Sequence, residues 1–128
     1  MTRRLLLIRG LGHSGTTILD LALGAHPQVV GLGEAARILE RPAPGDEHRG
    51  PAQLRCALRF QRRCTCGALA ADCPVWGPML TWLPAHEAQP LAEKMQQLLT
   101  VLEAASETAP TWVVDSYQGD FALPFHQD

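Results

Sequence analysis

The segment of this sequence with the clearest chemical meaning is Gly10–Thr17, which reads GLGHSGTT. It follows a continuous apolar run, Leu5–Ile8, which is typical of a strand covered on both faces. A glycine-rich turn between a strand and a helix brings backbone N–H groups together at the helix N-terminus, where the helix dipole also favours an anion. The sequence therefore predicts a phosphate-binding loop. The predicted binding residues are Gly12, His13, Ser14, Gly15, Thr16 and Thr17.

One position distinguishes this loop from the P-loop of nucleotide hydrolases. Those loops carry a lysine after the last glycine, and this lysine reaches the β- and γ-phosphates. The present chain has Thr16 at that place. Without the lysine, the loop can hold a phosphate but is poorly equipped to remove a terminal phosphoryl group from ATP or GTP. Kinase or GTPase activity is therefore disfavoured.

The loop and the motifs after it resemble those of sulfotransferases that use 3′-phosphoadenosine 5′-phosphosulfate. In that family a loop like RSGTT is followed by a leucine-rich helix, an HP dipeptide and, in tyrosylprotein sulfotransferases, a GE segment. This chain has HSGTT at 13–17, then His26-Pro27 and Gly33-Glu34, in the same order. The resemblance implies sulfuryl transfer from 3′-phosphoadenosine 5′-phosphosulfate to a hydroxyl or amine of a small-molecule or peptide acceptor. It also implies that no metal is required.

The resemblance further implies two catalytic residues. Glu34 is the candidate general base that deprotonates the acceptor, although a glutamate in a first helical turn can equally serve the helix dipole. His13 stands where most relatives have arginine, beside the oxygen on which charge develops. It would act there as a general acid or hydrogen-bond donor. The alternative for His13 is a loop histidine that caps a turn.

A second apolar run, Thr111–Ser116, predicts another buried strand that ends in two polar residues. In open α/β sheets ligands bind beyond the carboxyl ends of the strands, so we expect Gly10 and Asp115-Ser116 to face one crevice. Sulfotransferases often have a VDSS stretch beside the cofactor, which makes Ser116 a candidate phosphate ligand. Asp115 and Ser116 can equally cap the following turn. Asp115 could also imitate an acidic magnesium-binding residue, which keeps an atypical P-loop phosphotransferase as an alternative function.

The four cysteines form a separate group of candidate ligands. Cys64, Cys66 and Cys73 lie in a CxCG…CPxW pattern, and Cys56 precedes them. A structural zinc site needs four ligands, so Cys56 or His48 would have to complete it. A non-catalytic zinc or interaction module is therefore another alternative function. A disulfide is disfavoured in a reducing compartment, and we favour thiols without a ligand.

The whole chain has 128 residues, which allows one domain at most. Its net charge of −2 gives no support for nucleic-acid binding. No apolar run reaches the ~18 residues of a membrane span, so we expect a cytoplasmic protein. The predicted fold class is α/β, a partial P-loop-type three-layer fold with a short parallel sheet and flanking helices. The clearest predicted helix is Leu91–Glu107, whereas Pro78–Pro90 is predicted to be irregular.

The predicted organisation is an incomplete sulfotransferase-like domain, residues 1–117, followed by an irregular tail, residues 118–128. Within the domain, residues 41–87 are expected to form a loop-rich insertion that carries the cysteine segment. The tail contains no arginine or lysine, whereas sulfotransferases supply an arginine and a serine for the 3′-phosphate from their second half. The chain is therefore expected to be a possibly inactive fragment. An open sheet edge would favour self-association.

Overall fold

The computed structural model describes residues 4–10, 15–47, 55, 63–64, 66–107 and 110–116. They fall into two compact units. The first, here the sheet unit, comprises the described residues of Met1–Ala36 and Ser106–Asp128. The second, here the helical unit, comprises those of Arg37–Ala105. The predicted tail, residues 118–128, lies outside the described residues.

The sheet unit contains three parallel strands in the order β1-β3-β2. Their bounds are Arg4–Leu7 for β1, Val29–Gly31 for β2 and Trp112–Asp115 for β3. Helix α1, Thr16–Gly24, connects β1 to β2. A parallel pair needs such a crossover, because its second strand must start again at the same end of the sheet. The α/β part of the predicted fold class is confirmed by these elements.

The burial predicted for the first strand is wrong. Leu5 and Leu6 are 42% and 38% exposed, whereas Val113 and Val114 in β3 are 2% and 0% exposed. Among the described residues β3 lies between two partners, while β1 pairs with β3 alone and forms an edge. An apolar run therefore identified the strand correctly but could not tell an edge strand from a central one.

The helical unit is built around helices α3, Trp76–Trp82, and α4, Leu91–Ala105. Short 3₁₀ turns at Ala70–Asp72 and Leu83–Ala85 flank α3 on either side, and helix α2, Ala35–Leu39, spans the boundary between the two units. The predicted α4 is confirmed, and Met95, Leu98 and Leu102 are buried along it as its spacing requires.

The irregular segment predicted at Pro78–Pro90 is wrong over its first half. Residues 76–82 form α3, and Met79 and Leu80 are buried on it. Pro78 is the third residue of this helix. The first four N–H groups of a helix have no intrahelical acceptor, so a proline there removes no hydrogen bond.

The helical unit also contains a buried lysine. Lys94 is 1% exposed, and its Nζ lies 3.7 Å from Glu40 Oε2 and 3.8 Å from Glu87 Oε2. Glu87 also pairs with Arg55, whose side chain is 2% exposed. The chain thus compensates buried positive charge with two carboxylates. No helix in the described part of the chain has the length and apolar character that crossing a membrane would need.

Candidate functional site

The end of the predicted phosphate loop is visible at the start of α1. Gly15 is the N-cap residue of this helix and adopts a left-handed conformation with φ 90° and ψ 10°. Only glycine takes this conformation without strain, and it has no side chain to occupy the space before the helix. Thr16 and Thr17 form the first turn, Thr16 half-buried and Thr17 exposed. The predicted residues Gly12, His13 and Ser14 lie outside the described residues.

The carboxyl ends of all three strands meet at one edge of the sheet. Beyond the strands, Ile8 N–H donates to Asp115 O at 2.9 Å, and on the other side Leu32 N–H donates to Val114 O at 2.8 Å. Ser116 N–H in turn donates to Gly33 O at 2.9 Å. The ladder therefore continues past the ends of the strands, and it fixes the segment before Glu34 against the end of β3.

A buried aspartate on α1 ties these ends together. Asp20 is 4% exposed, its Oδ2 accepts a hydrogen bond from Gly33 N–H at 3.2 Å, and its side chain also bonds the side chain of Ser116. Burial raises the pKa of Asp20, and the nearby charge of Asp115 acts in the same direction. The hydrogen bonds from Ser116 and Gly33 favour the ionised form and oppose this rise in pKa.

Asp20 was not among the sequence-derived site residues. The available signal was a single acidic residue in an otherwise apolar helix, ILDLALG. Two glycines allow α1 to approach β2 closely enough to bury it. A Cβ at Gly31 would collide with Asp20 Oδ1, and a Cβ at Gly24 would lie 3.3 Å from Gly31 N.

Of the predicted site residues, Ser116 and Glu34 belong to this region. Ser116 is 4% exposed, and its side chain is already bonded to Asp20. Its role as a phosphate ligand stays a prediction. Glu34 is half-buried and directly precedes α2. It follows Gly33, which has a positive φ of 61°, so the chain turns just before the predicted base. His26 fixes the preceding turn, because its Nδ1 accepts from Gln28 N–H at 3.1 Å.

Three cysteines of the helical unit also converge. The Sγ atoms of Cys64, Cys66 and Cys73 all lie within 4.8 Å of one another, and those of Cys64 and Cys73 are 3.5 Å apart. None of these three cysteines forms a disulfide bond. The prediction that 3′-phosphoadenosine 5′-phosphosulfate is needed without any metal is corrected by this cluster, because converging thiols are potential metal ligands. The sequence spacing did not establish this convergence.

Comparisons with protein-family models, curated proteins and solved structures found no match for this chain. The resemblance to sulfotransferases therefore depends on the loop, the His26-Pro27 dipeptide and the Gly33-Glu34 segment.

The described residues of the sheet unit contain two parts with potential site chemistry. The first is the N-terminus of α1, capped by Gly15, and the last is the half-buried carboxylate of Glu34, which follows β2 and directly precedes α2. The first part can attract negative charge, and the last, Glu34, can accept a proton.

Proposed function

We propose that the sheet unit is a sulfuryl-transfer unit of the P-loop type. In this proposal the β1–α1 turn holds the phosphate end of an activated sulfate ester, and Glu34 takes the proton of the acceptor. The proposal is supported by the motif order in the sequence and by the position of Gly15 directly before α1. A cytoplasmic location is part of it, and the absence of disulfide bonds at Cys64, Cys66 and Cys73 agrees with a reducing compartment.

The reaction moves an SO₃ group between two oxygens, or from an oxygen to a nitrogen. The acceptor atom forms the new bond to sulfur, the bond from sulfur to the phosphate oxygen breaks, and the acceptor proton passes to the Glu34 carboxylate. The phosphate leaves with the electron pair. By analogy with phosphoryl transfer, most of the rate enhancement should come from positioning and charge stabilisation. Backbone N–H groups after Gly15 and the His13 ring would stabilise the leaving oxygen.

The conformation of Gly15 carries this proposal. Gly15 caps α1 in a left-handed conformation and carries no side chain that could cover the first N–H groups of the helix. Such a helix N-terminus binds an anion through the N–H groups and the helix dipole together. A carboxylate side chain at this position would occupy the same space with the same sign of charge as the ligand.

Thermal melting with nucleotides tests the binding step. We expect adenosine 3′,5′-bisphosphate to raise the melting temperature more than ATP, with or without magnesium. Gly15→Asp should abolish this rise. The control is Gly45→Asp in the helical unit, where φ is 93° and the space around a Cβ is also open. It introduces a similar backbone strain and should leave the nucleotide response unchanged. A larger response to magnesium-ATP would instead support the phosphotransferase.

Glu34→Gln tests the catalytic step. The amide keeps the size of the side chain but cannot take the acceptor proton. We therefore expect nucleotide binding to persist and sulfuryl transfer to fall by about 10²–10⁴-fold, the usual contribution of a general base. Full turnover in this variant would exclude Glu34 as the base while leaving the binding step intact.

Self-association through the exposed edge of β1 belongs to the same proposal. Leu5 and Leu6 are partly exposed on that strand, and among the described strands β1 pairs with β3 alone. An unpaired edge is a template for a strand from another copy. Sedimentation over a range of concentrations should show a dimer that Leu6→Lys weakens, because charge on an edge strand opposes pairing.

A further inference from the structure

We propose that Cys64, Cys66 and Cys73 bind one zinc ion through three thiolates. This metal site lies in the helical unit and is independent of the sulfuryl-transfer proposal.

The spacing of the sulfur atoms fits a tetrahedral metal. Zinc–sulfur bonds of about 2.3 Å place the sulfurs of a tetrahedral site about 3.8 Å apart. Cys64 and Cys73 are at 3.5 Å, and no pair among the three exceeds 4.8 Å. Coordination therefore needs sulfur displacements of the order of 1 Å, which side-chain rotation can supply. Soft thiolate ligands favour zinc over magnesium or calcium.

A tight loop positions two of the ligands. Cys64 N–H donates to Ala68 O at 2.8 Å, and Gly67 N–H donates to Cys64 O at 2.9 Å. Gly67 has a φ of 91°, which allows this reversal. An antiparallel bridge between Arg63 and Leu69 closes the base of the loop. Cys64 and Cys66 are therefore held close together by backbone hydrogen bonds.

The third ligand, Cys73, lies between the 3₁₀ turn and α3. Cys73 follows the 3₁₀ turn Ala70–Asp72 and is 4% exposed, and its carbonyl accepts from Gly77 N–H at 2.9 Å. A Cβ at Gly77 would lie 2.5 Å from Ala71 O, so this glycine permits the close approach of the 3₁₀ turn to α3. The approach brings Cys73 to the loop.

Each sulfur also receives a backbone N–H. Cys66 N–H is directed at Cys64 Sγ, Ala68 N–H at Cys66 Sγ, and Trp76 N–H at Cys73 Sγ, the last at 3.4 Å. Such hydrogen bonds stabilise thiolate over thiol, and outer-shell hydrogen bonds of this kind orient and tune metal ligands. Thiols that bind no metal would not require three aligned backbone N–H donors.

A cation is what allows the three thiolates to exist together. Negative charges on sulfur atoms that lie within 4.8 Å of one another repel, and a bound divalent cation offsets this repulsion. On binding, three Sγ–Zn bonds form and three S–H protons are released to solvent. The fourth position is open to a further ligand. Cys56 and His48, the residues that the sequence offers for it, lie outside the described residues.

Bound zinc would connect the Arg63–Leu69 loop to α3. Among the described residues, Ile38, Ala70 and Leu80 form one buried apolar cluster, and Trp76 packs against it. A metal bond between the loop and α3 would therefore contribute directly to the folding of this unit.

The test is zinc stoichiometry on the whole chain, purified under reducing conditions. We expect one zinc per chain, release of zinc by a chelator, and a lower melting temperature after its release. Cobalt substitution should give the visible bands of a tetrahedral thiolate site. Less than about 0.1 zinc per chain after exposure to zinc, or an oxidised Cys64–Cys73 pair that persists in reductant, would overturn the proposal.

Cys66→Ser is the decisive variant, because Cys66 is exposed and its replacement disturbs no packed side chain. Zinc affinity should fall by more than about 100-fold, since even outer-shell changes cost about 10–100-fold. The melting temperature of this variant should no longer respond to chelator. The matched control is Asp72→Asn, which removes an exposed carboxylate beside Cys73 and should leave zinc binding unchanged. Unaltered zinc binding in Cys66→Ser would refute the assignment.

Discussion

Replacing Asp20 tests how the sheet unit holds its strand ends together. The side chain accepts hydrogen bonds from Gly33 N–H and from Ser116 and is 4% exposed. Asp20→Ala removes the acceptor of both donors, whereas Asp20→Asn keeps an oxygen that can accept them. The two variants therefore separate the effect of the hydrogen bonds from the effect of the charge.

The expected magnitudes follow from these contacts. A buried donor without an acceptor costs about 1–3 kcal/mol, so two such donors give a loss of about 3 kcal/mol in Asp20→Ala after the buried charge is relieved. For a chain of 128 residues this corresponds to a fall in melting temperature of roughly 12 °C, at about 4 °C per kcal/mol. Asp20→Asn should stay within about 1 kcal/mol of the parent at neutral pH.

The pH dependence of stability is an independent test, because its direction follows from the pKa of Asp20. Because the folded-state pKa of Asp20 is raised above its unfolded value of 3.8, the folded chain binds this proton more tightly. The stability contributed by the protonated group is fully present below pH 3.8 and is lost as pH rises through the folded-state pKa. The melting temperature of Asp20→Asn should therefore gain on that of the parent as pH increases across this window.

Differential scanning calorimetry of the parent and both variants over this pH range is the assay. Equal destabilisation by alanine and asparagine would refute the hydrogen-bond argument. If the melting temperature of Asp20→Asn instead falls relative to that of the parent as pH rises, the pKa of Asp20 is lowered on folding, and the burial argument is refuted.

Two further predictions concern packing and buried charge. Gly31→Ala should destabilise the sheet unit by about 1–3 kcal/mol, because its Cβ would collide with Asp20; a melting temperature equal to that of the parent would contradict the close approach. Glu87→Gln should cost about 3 kcal/mol in chemical denaturation, because it removes a carboxylate shared by the buried Arg55 and Lys94. Lys94→Met should cost less, since it leaves Glu87 paired with Arg55, and a larger loss in Lys94→Met would contradict this explanation.

Local patterns were sufficient to predict the parallel strands and the long helix. The apolar runs around Leu5 and Val113 became β1 and β3, and the helical spacing of leucines became α4. Both signals depend on neighbouring residues along the chain. The burial of a strand depends instead on what pairs beside it, and so the exposure of Leu5 was not readable from its own segment.

The residues that sequence patterns did not identify are those whose role depends on the backbone of segments elsewhere in the chain. Asp20 is buried because glycines at 24 and 31 let α1 approach β2, and an acidic residue in a helix does not reveal that approach. The helix at Trp76–Trp82 was missed because Pro78–Pro90 was predicted to be irregular, although a proline in the first turn of a helix is harmless.

The spacing of the cysteines in the sequence did not predict that their side chains converge. Cys64-x-Cys66-Gly67 and Cys73 do not match a repeated CxxC pattern, and so spacing favoured thiols without a ligand. Convergence depends on the positive φ of Gly67, which reverses the loop, and on Gly77, which lets the 3₁₀ turn approach α3. Both glycines are visible in the sequence, but their consequence appears only when the two segments are placed together. A Gly77→Ala variant should therefore weaken zinc binding without altering any thiol, because it moves the Cys73 segment away from the loop.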